Sequence, residues 1–416
     1  MASVVLLGTL DTKGEEYEFL RDRIAKLGCD VVLVDAGVLG DHSPADVTAD
    51  EVAAAAGESR AALAAAGDRG PAVLAMARGA TEVVERLHAQ GRLDGIMGVG
   101  GSGGSSILAA AMQALPIGVP KLIVSTMASG DTRPYVGTSD IAMMPSVVDI
   151  AGINGLSERI LTNAAAAIAG MAQAAAAFVS AIEPRPLLGA TMFGVTTPCV
   201  TTARAWLEAH GYEVLVFHAT GAGGRAMEAL MQAGFITGSL DITTTELVDE
   251  LVGGILSAGP DRLEMAGALG IPQVVSLGAL DMCNFGPQDT VPSEFADRNL
   301  YVHNATVTLM RTTEEECAEL GRILARKLNR ATGPLTVFIP LRGLSMIDVP
   351  GAPFHDAAAD AALVRELRAG LRPEVDVVEM ATDINDPAFA TAMAERLDAL
   401  HRTWAAARAA HAGGDA

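Results

Sequence analysis

A glycine-rich loop is the clearest candidate for chemistry in this sequence. Residues 98–106 read GVGGSGGSS and stand between an apolar segment and a segment of helical character. Glycines let the backbone approach a ligand closely, and the free N–H groups at the start of a helix attract anions. We therefore predict phosphate binding by this loop, with a tight structural turn as the alternative. The candidate ligand-binding residues are Gly100, Gly101, Ser102, Gly103, Gly104 and Ser105.

The residues around this loop limit the ligand that it suits. The dinucleotide fingerprint G-x-G-x-x-G also requires an acid at the end of the following strand, about 20 residues further on. That strand, KLIVST, ends in Ser125 and Thr126, which disfavours NAD. No lysine follows the glycines, so the loop is not a Walker A motif.

Two more loops of the first half follow apolar segments and are expected to contribute, because ligands bind at the carboxyl ends of parallel strands. In residues 8–16, GTLDTKGEE, Lys13 is suited to pair with a phosphate, although Thr12 and Glu15 also have the spacing of a helix capping box. In residues 125–133, STMASGDTR, Arg133 either contacts an anion or pairs with Asp131. The candidate ligand-binding residues of these two loops are Gly8, Thr9, Asp11, Thr12, Lys13, Thr126, Ser129, Gly130 and Arg133.

The second half repeats the strand, glycine loop, helix pattern in residues 217–228, FHATGAGGRAME. His218 stands at the carboxyl end of a predicted strand, where a general base would act. Asp241 and Asp281 are candidates for sharing a divalent cation, but their spacing assigns no metal ligands. The predicted catalytic residues are His218, Glu228 and Asp241, and the predicted ligand-binding residues are Thr196, Thr197, Gly221, Gly223 and Gly224, the two threonines having helix capping as their alternative.

The composition excludes several classes of protein. The 416 residues carry 29 Lys and Arg against 50 Asp and Glu, a formal net charge of −21, and no basic run, which argues against nucleic-acid binding. The four cysteines include no C-x-x-C pair, as is typical of a protein in a reducing compartment, and nothing near Cys283 in the sequence activates it as a nucleophile. Residues 160–182 lack charges but are rich in alanine, so we expect a buried or interdomain helix there and no membrane association. The start of the chain lacks the basic region of a signal peptide, which favours a cytoplasmic protein.

Short apolar segments alternate with helical ones, which is the pattern of parallel βαβ units. In the first half we expect two alanine-rich helices over roughly residues 45–66 and 71–90, and in the second half we expect later strands at PQVVSL, NLYVH, PLTVFIP and VDVVEM. The proline-containing segment at 183–186 separates two halves that begin alike, each with a strand, a short polar loop, a helix and a second strand. The predicted class is α/β, with two Rossmann-like domains, each a mostly parallel sheet flanked by helices, and a ligand cleft between them. The predicted domains are residues 1–183, which bind the nucleotide or phosphate, residues 187–410, which bind the substrate, and a flexible tail at 411–416.

Several long motifs, found in the right order, resemble one family over roughly residues 3–395. They include GTLDTKGEE, VGGSGGSS, STMASGDTRPYVGTSDIAMM, GVTTPCV, FHATGAGGRAME, LDITTTE and LMRTTEEE. The sequence resembles an uncharacterised ATP-binding family of bacteria, fungi and plants, which includes the N-terminal inhibitory region of the tomato protein that confers resistance to tomato mosaic virus. The resemblance implies two Rossmann-like subdomains and ATP binding with magnesium, and it supplies no reaction.

These observations predict an ATP-binding protein, with a small-molecule metabolic enzyme of unknown reaction as the leading interpretation. In that interpretation one domain holds the nucleotide and Mg²⁺ and the other holds an unidentified small molecule. A nucleotide-sensing regulatory module is the first alternative, and a sugar-nucleotide epimerase or transferase the second. Alanine-rich helices offer flat packing surfaces, so we also expect a homo-oligomer.

Overall fold

The computed structural model describes residues 1–40, 45–179 and 185–412. The chain divides into two compact units, Met1–Ile182 and Glu183–Ala416, called here the N-terminal and the C-terminal unit. The boundary predicted at residues 183–186 and the tail predicted at residues 411–416 lie partly outside the described residues.

The N-terminal unit is an α/β domain with one parallel sheet. Its strands are β1 (Ser3–Gly8), β2 (Asp30–Asp35), β3 (Gly95–Gly100), β4 (Lys121–Ser125) and β5 (Ala142–Pro145). Its helices are α1 (Leu10–Lys26), α2 (Ala49–Ala55), α3 (Arg60–Ala66), α4 (Arg69–Ala89), α5 (Ser102–Ala114), α6 (Arg133–Val136) and α7 (Ser157–Ala176). The strand order is β2-β1-β3-β4-β5, and every pairing is parallel.

Helices cover both faces of this sheet because side chains alternate along the strands. In β1, Val5 and Leu7 join a core that α2, α4 and α5 complete. Val4 and Leu6 point to the opposite face and meet α1 and α7. Burial on both faces explains why these strands read as continuous apolar runs.

The C-terminal unit contains a six-stranded parallel sheet and a small antiparallel one. Its strands are β6 (Leu187–Met192), β7 (Glu213–His218), β8 (Ile236–Thr243), β9 (Gln273–Gly278), β10 (Met282–Phe285), β11 (Leu300–Asn304), β12 (Val307–Arg311), β13 (Leu335–Pro340) and β14 (Asp376–Met380). Its helices are α8 (Thr197–Ala209), α9 (Ala222–Gln232), α10 (Glu246–Val252), α11 (Met265–Leu269), α12 (Glu314–Leu328), α13 (Ala357–Gly370) and α14 (Pro387–Ala412). The parallel order is β14-β13-β9-β8-β6-β7, and the antiparallel order is β10-β12-β11.

The two large sheets share one topology. In each, the first strand of the unit lies between the second and the third, and later strands follow in sequence order. The predicted class of two α/β domains with parallel, helix-flanked sheets is thereby confirmed, and both orders are those of doubly wound Rossmann-like folds.

The predicted elements differ from the observed ones in several places. Two alanine-rich helices were expected over roughly 45–66 and 71–90, but the structure has three, because Gly57 and Gly67 adopt positive φ and end α2 and α3. The strand expected at NLYVH exists as β11, but it belongs to the antiparallel sheet. Strands β5, β8, β10 and β12 were not among the predicted strands.

Candidate functional site

The strand order of the N-terminal unit creates a crevice between β1 and β3. The chain leaves these neighbouring strands toward opposite faces of the sheet, which is where doubly wound folds bind ligands. Their pairing ends at Leu6 and Met97. Beyond it, the buried Tyr17 hydroxyl donates to Leu7 O at 2.6 Å and accepts from Val99 N at 2.9 Å, so one side chain from α1 bridges the two strands where they separate. The Tyr17 side chain also explains why residue 8 is a glycine, since a Cβ at Gly8 would lie 1.8 Å from the Tyr17 hydroxyl oxygen.

A cavity of about 420 Å³ lies at this crevice. Its volume is within the range of small-molecule sites. Four segments form it: the β1–α1 loop, the loop after β2, the α3–α4 region and the first turns of α5. The polar lining residues are Thr9, Asp11, Thr12, Asp68 and Arg69, the glycines are Gly67, Gly103 and Gly104, and the apolar ones are Ala36, Val38, Leu39, Leu63, Ala64, Ala72, Val73, Met76 and Ile107.

The first turn of α5 carries free N–H groups at the edge of this cavity. Its first intrahelical bond runs from Ser105 N to Gly101 O at 2.9 Å, so the amides of Ser102, Gly103 and Gly104 precede the helical hydrogen-bond ladder. Gly101, the N-cap residue, has no side chain to cap these groups. The predicted glycine loop is therefore a helix start with exposed donors, which suits an anion.

Arg69 adds a positive charge to this helix end. A Cβ placed on Gly103 would lie 3.3 Å from Arg69 Nη2, so the guanidinium is beside the glycine. Within the described residues, no hydrogen bond or ion pair engages the Arg69 side chain, which is exposed. Sequence reasoning missed Arg69, because it stands in an alanine-rich stretch and meets α5 only through the packing of α4.

Asp11 is fixed in the wall of the same cavity. Its Oδ2 accepts hydrogen bonds from Val38 N at 3.0 Å and Leu39 N at 2.9 Å. Its Oδ1 is buried and has no hydrogen-bond partner in the described part of the chain. Gly37 leaves room for this carboxyl group, since a Cβ at Gly37 would lie 2.7 Å from Asp11 Cγ.

Helix α3 closes one side of the cavity with Leu63 and Ala64. None of its seven residues is fully buried. Its N-terminal Arg60 pairs with Asp50, Nε to Oδ1, at 3.0 Å. Loosely held and flanked by the positive-φ residues Gly57 and Gly67, α3 is the part of the cavity wall that is least anchored in the core.

The other predicted residues of the β1–α1 and glycine loops have local partners. Thr9 and Thr12, both in the cavity wall, share a hydroxyl contact of 3.0 Å. Lys13 donates to Ile150 O at 2.5 Å and does not line the cavity. Ser105 is buried and shares a hydroxyl contact of 2.7 Å with Ser125, while Gly100 packs closely on α5, where a Cβ would lie 3.1 Å from Gly104 Cα.

The third predicted loop divides between two locations. Thr126 and Ser129 line a separate cavity at the carboxyl ends of β4 and β5. Gly130 is exposed, with its N–H bonded to Met127 O. Arg133 is exposed and binds Asp131 through two hydrogen bonds, at 2.8 and 2.9 Å, which lower the pKa of Asp131 to about 2. This pairing is the alternative that the sequence left open for Arg133.

In the C-terminal unit, a carboxylate of the protein itself binds the free N–H groups at the start of α9, the helix that follows the second strand of that sheet. Glu246 Oε1 accepts hydrogen bonds from Gly221 N at 2.8 Å and Gly224 N at 3.0 Å, at the start of α9. A Cβ on Gly224 would lie 2.2 Å from Glu246 Oε2, and a Cβ on Gly223 1.9 Å from His218 O. These predicted phosphate-binding glycines thus make close internal contacts, Gly221 and Gly224 with the Glu246 carboxylate and Gly223 with the His218 carbonyl.

Two of the three predicted catalytic residues share one buried cation with Glu246. The guanidinium of Arg262, 2% exposed, contacts Asp241 at 2.6 Å, Glu246 at 2.7 Å and Glu228 at 3.2 Å. Burial raises the pKa of Glu228, with the Arg262 charge opposing the rise. His218 is not part of this cluster: it is exposed and stacks on Phe193 with ring centroids 5.4 Å apart.

A second cluster of this kind surrounds Arg311. Arg311 Nη2 lies 2.7 Å from Asp360 Oδ1 and 3.6 Å from Asp348 Oδ1, and Asp281 accepts from Ser345 Oγ at 2.8 Å. Burial raises the pKa of Asp281 to about 6 and that of Asp348 to about 8. The predicted pair Asp241 and Asp281 therefore belongs to two different clusters.

The remaining candidates in the C-terminal unit are buried in local structure. Thr196 shares a hydroxyl contact of 2.7 Å with Thr243, and Thr197 donates to Phe193 O at 3.2 Å. Burial raises the pKa of the Cys283 thiol, which does not suit a nucleophile.

In the described residues, no group of three or more His, Cys, Asp or Glu side chains is arranged to hold a metal ion, and no helix is long and apolar enough to cross a membrane.

Comparison with known proteins places both units in one family. Residues 2–177 match the N-terminal domain, and residues 185–401 the C-terminal domain, of an uncharacterised protein family, UPF0261. A UPF0261 protein of Clostridium tetani is 54% identical over 95% of this chain and 98% of its own length. Another, from Mesorhizobium japonicum, is 46% identical over 96% of this chain and 99% of its own length. The ToMV resistance protein Tm-1 of Solanum lycopersicum is 41% identical over 94% of this chain, which matches 55% of the tomato protein. The chain belongs to the UPF0261 family.

Proposed function

We propose that the N-terminal unit binds a nucleotide, ATP with Mg²⁺, in the cavity between β1 and β3. This proposal rests on the Arg69 guanidinium, which is unpaired among the described residues and meets the uncapped start of α5 at one end of a cavity of about 420 Å³. A guanidinium and a row of backbone N–H groups are the donors that phosphate oxygens prefer.

The rest of the cavity fits the remaining parts of a nucleotide. Val38, Leu63 and Val73 provide apolar surface for a base. Mg²⁺ in nucleotide sites is held by one or two carboxylates together with the phosphates. We assign that role to Asp11, whose Oδ1 lacks a hydrogen-bond partner in the described residues.

We further propose that the bound nucleotide serves a small-molecule reaction, with nucleotide sensing as the second candidate. One observation favours sensing: Glu228 and Asp241 are bound to Arg262, so the C-terminal unit offers fewer free catalytic groups than the sequence suggested. ATP turnover that rises on addition of a small substrate supports the enzyme. Saturable ATP binding without turnover in the presence of candidate substrates supports the sensor.

Isothermal titration of ATP into the whole chain, with and without Mg²⁺, tests the binding proposal. Arg69→Gln removes the guanidinium, and we expect ATP affinity to fall roughly 30-fold, corresponding to about 2 kcal/mol for a charged hydrogen bond. Gly103→Val adds a branched side chain where the phosphate would sit and should abolish binding.

Two matched variants control for general damage. Arg78→Gln changes an exposed arginine of the same helix, and Gly170→Val changes a helical glycine with no atom within 4 Å of its Cβ position. Both should bind ATP like the unchanged protein. Equal affinity of Arg69→Gln and Arg78→Gln for ATP would refute the assigned phosphate position, and absence of any ATP heat in the unchanged protein would refute the function.

A further inference from the structure

A second cavity of the N-terminal unit, of about 670 Å³, lies at the carboxyl ends of β4 and β5. Four residues that carry hydroxyl groups surround it, Ser125, Thr126, Ser129 and Ser146, of which Thr126 and Ser129 are the more exposed. One carboxyl group, that of Asp149, completes its polar lining. Such a dense set of hydroxyl groups is the first indication of the ligand.

Three of these polar groups keep free hydrogen-bonding capacity. In the part of the chain that the structure describes, the hydroxyls of Thr126 and Ser129 have no hydrogen-bond partner. Asp149 uses Oδ1 to accept from Ile150 N at 2.9 Å, and Oδ2 makes no such bond. By contrast, the other two hydroxyls are bonded within the protein. Ser125 Oγ accepts a hydrogen bond from Met127 N at 2.9 Å, and Ser146 Oγ donates one to Val148 O at 2.7 Å.

The charge of the lining selects against anionic ligands. Asp149 is its only ionisable residue among those described, and the neighbouring Arg133 is held by Asp131. A carboxylate or phosphate entering this cavity would meet the like charge of Asp149, and no cationic side chain lines the cavity among the described residues, since Lys13 donates to Ile150 O behind it. A neutral ligand with several hydroxyl groups would instead donate to Asp149 and exchange hydrogen bonds with Thr126 and Ser129.

The rim of the cavity offers apolar surface beside these groups. Val147 is 75% exposed and has a φ of +65°, which a β-branched residue rarely adopts. A 2.7 Å bond from Val148 N to Ser146 O closes the tight turn around it. The turn holds an isopropyl group at the edge of the cavity, where the C–H face of a sugar ring or polyol chain can rest.

This cavity also adjoins the start of α5. A Cβ on Gly101, the N-cap residue of α5, would lie 3.7 Å from Thr126 Oγ1, while Gly103, two residues on, adjoins Arg69 of the first cavity. The two cavities thus flank one helix end. A molecule in the second would lie beside phosphates bound at the first.

We propose that this second cavity binds a neutral polyhydroxylated small molecule, of the sugar or polyol class, next to the nucleotide phosphates. The location beside phosphates rests on the proposed function, whereas the binding of the polyol does not. Between a neutral sugar and a carboxylic acid, the Asp149 carboxylate in the lining favours the sugar.

Saturation-transfer NMR on the whole chain tests this proposal, with D-ribose and myo-inositol as neutral probes and D-gluconate as the charged probe. We expect signals from at least one neutral probe and weaker ones from D-gluconate. The double variant Thr126→Val with Ser129→Ala removes two hydroxyls, so affinity for the neutral probe should fall at least about tenfold. Thr201→Val, a change at an exposed threonine of α8, is the matched control and should leave the signals unchanged.

The outcomes separate the two proposals. Polyol signals that survive Gly103→Val, together with an absence of ATP binding, support the polyol site and refute the nucleotide proposal. Absence of signals from both neutral probes, stronger binding of D-gluconate, or equal signals from the double variant would overturn the polyol site whatever ATP does.

Discussion

Replacing Arg262 by methionine should destabilise the C-terminal unit strongly. The three carboxylates around this guanidinium, those of Asp241, Glu246 and Glu228, lie 2.6, 2.7 and 3.2 Å from it. Methionine preserves much of the volume but leaves three acidic groups buried together. Breaking a buried ion pair from one side costs about 3–5 kcal/mol, and because three acids are affected we expect about 4 kcal/mol or more.

The loss should depend on pH in a definite direction. Burial already raises the pKa of Glu228, and without Arg262 the opposing positive charge is lost, so the pKa of this folded carboxyl group should rise further above that of the unfolded chain. The folded variant then keeps protons that the unfolded chain releases, so its stability falls as pH rises above the unfolded pKa of about 4. The difference from the unchanged protein should therefore be larger at about pH 8 than at about pH 5, by roughly 1.4 kcal/mol for each unit of pKa shift.

Urea unfolding followed by tryptophan fluorescence measures this loss selectively. Both tryptophans of the chain, Trp206 and Trp404, belong to the C-terminal unit. Arg322→Met is the matched control, because Arg322 is exposed and its ion pairs with acids should contribute at most about 1 kcal/mol. A loss below about 1 kcal/mol for Arg262→Met, or an equal loss at both pH values, would refute the reasoning.

Three further expectations concern single contacts. Burial raises the pKa of Asp348 to about 8, so the C-terminal unit should lose stability as pH rises from about 4 to 8. Asp348→Asn should reduce this dependence of stability on pH, measured by fluorescence-monitored unfolding. An unchanged dependence would contradict the assignment. Tyr17→Phe removes the hydroxyl that accepts a hydrogen bond from Val99 N. Hydrogen exchange at the Val99 N–H should therefore accelerate by one to two orders of magnitude, about 1–3 kcal/mol. Unchanged protection of this N–H would count against the Tyr17 bridge between β1 and β3. Gly224→Ala should cost at least about 2 kcal/mol in the same urea assay because its Cβ collides with the Glu246 carboxylate. Gly170→Ala, in open space on a helix, should be neutral or slightly stabilising. Similar results for both variants would refute the collision.

The parallel sheets were predictable because their strands are short apolar runs buried on both faces. Strand β8 escaped prediction because its residues, ITGSLDIT, include several polar ones. Ser239 and Asp241 are nevertheless buried there, since Asp241 is neutralised by Arg262 from a distant segment. A polar strand of this kind can be recognised only when the residue that neutralises its buried charge, here Arg262, is known.

The candidate site divides in the same way between local and distant information. The glycine loop was recognisable because the conformation and exposed donors of a helix start depend on adjacent residues. The role of Arg69 was not, because it depends on how α4 packs on α5. Likewise, Glu228 and Asp241 were predicted as catalytic residues from their chemical type. Their common partner Arg262 was not predicted, because it is 34 and 21 residues away in sequence.

The carboxylate of Glu246 makes the two units differ in how they respond to solute concentration. In the C-terminal unit the anion at the start of α9 is covalently part of the chain and cannot be diluted. In the N-terminal unit, the proposed anion comes from solution, and its stabilising effect grows with its concentration, reaching about 2.7 kcal/mol at a hundred times the dissociation constant. The thermal stability of the N-terminal unit would then follow the supply of nucleotide, while the C-terminal unit would stay folded at the same temperature whether that supply rises or falls.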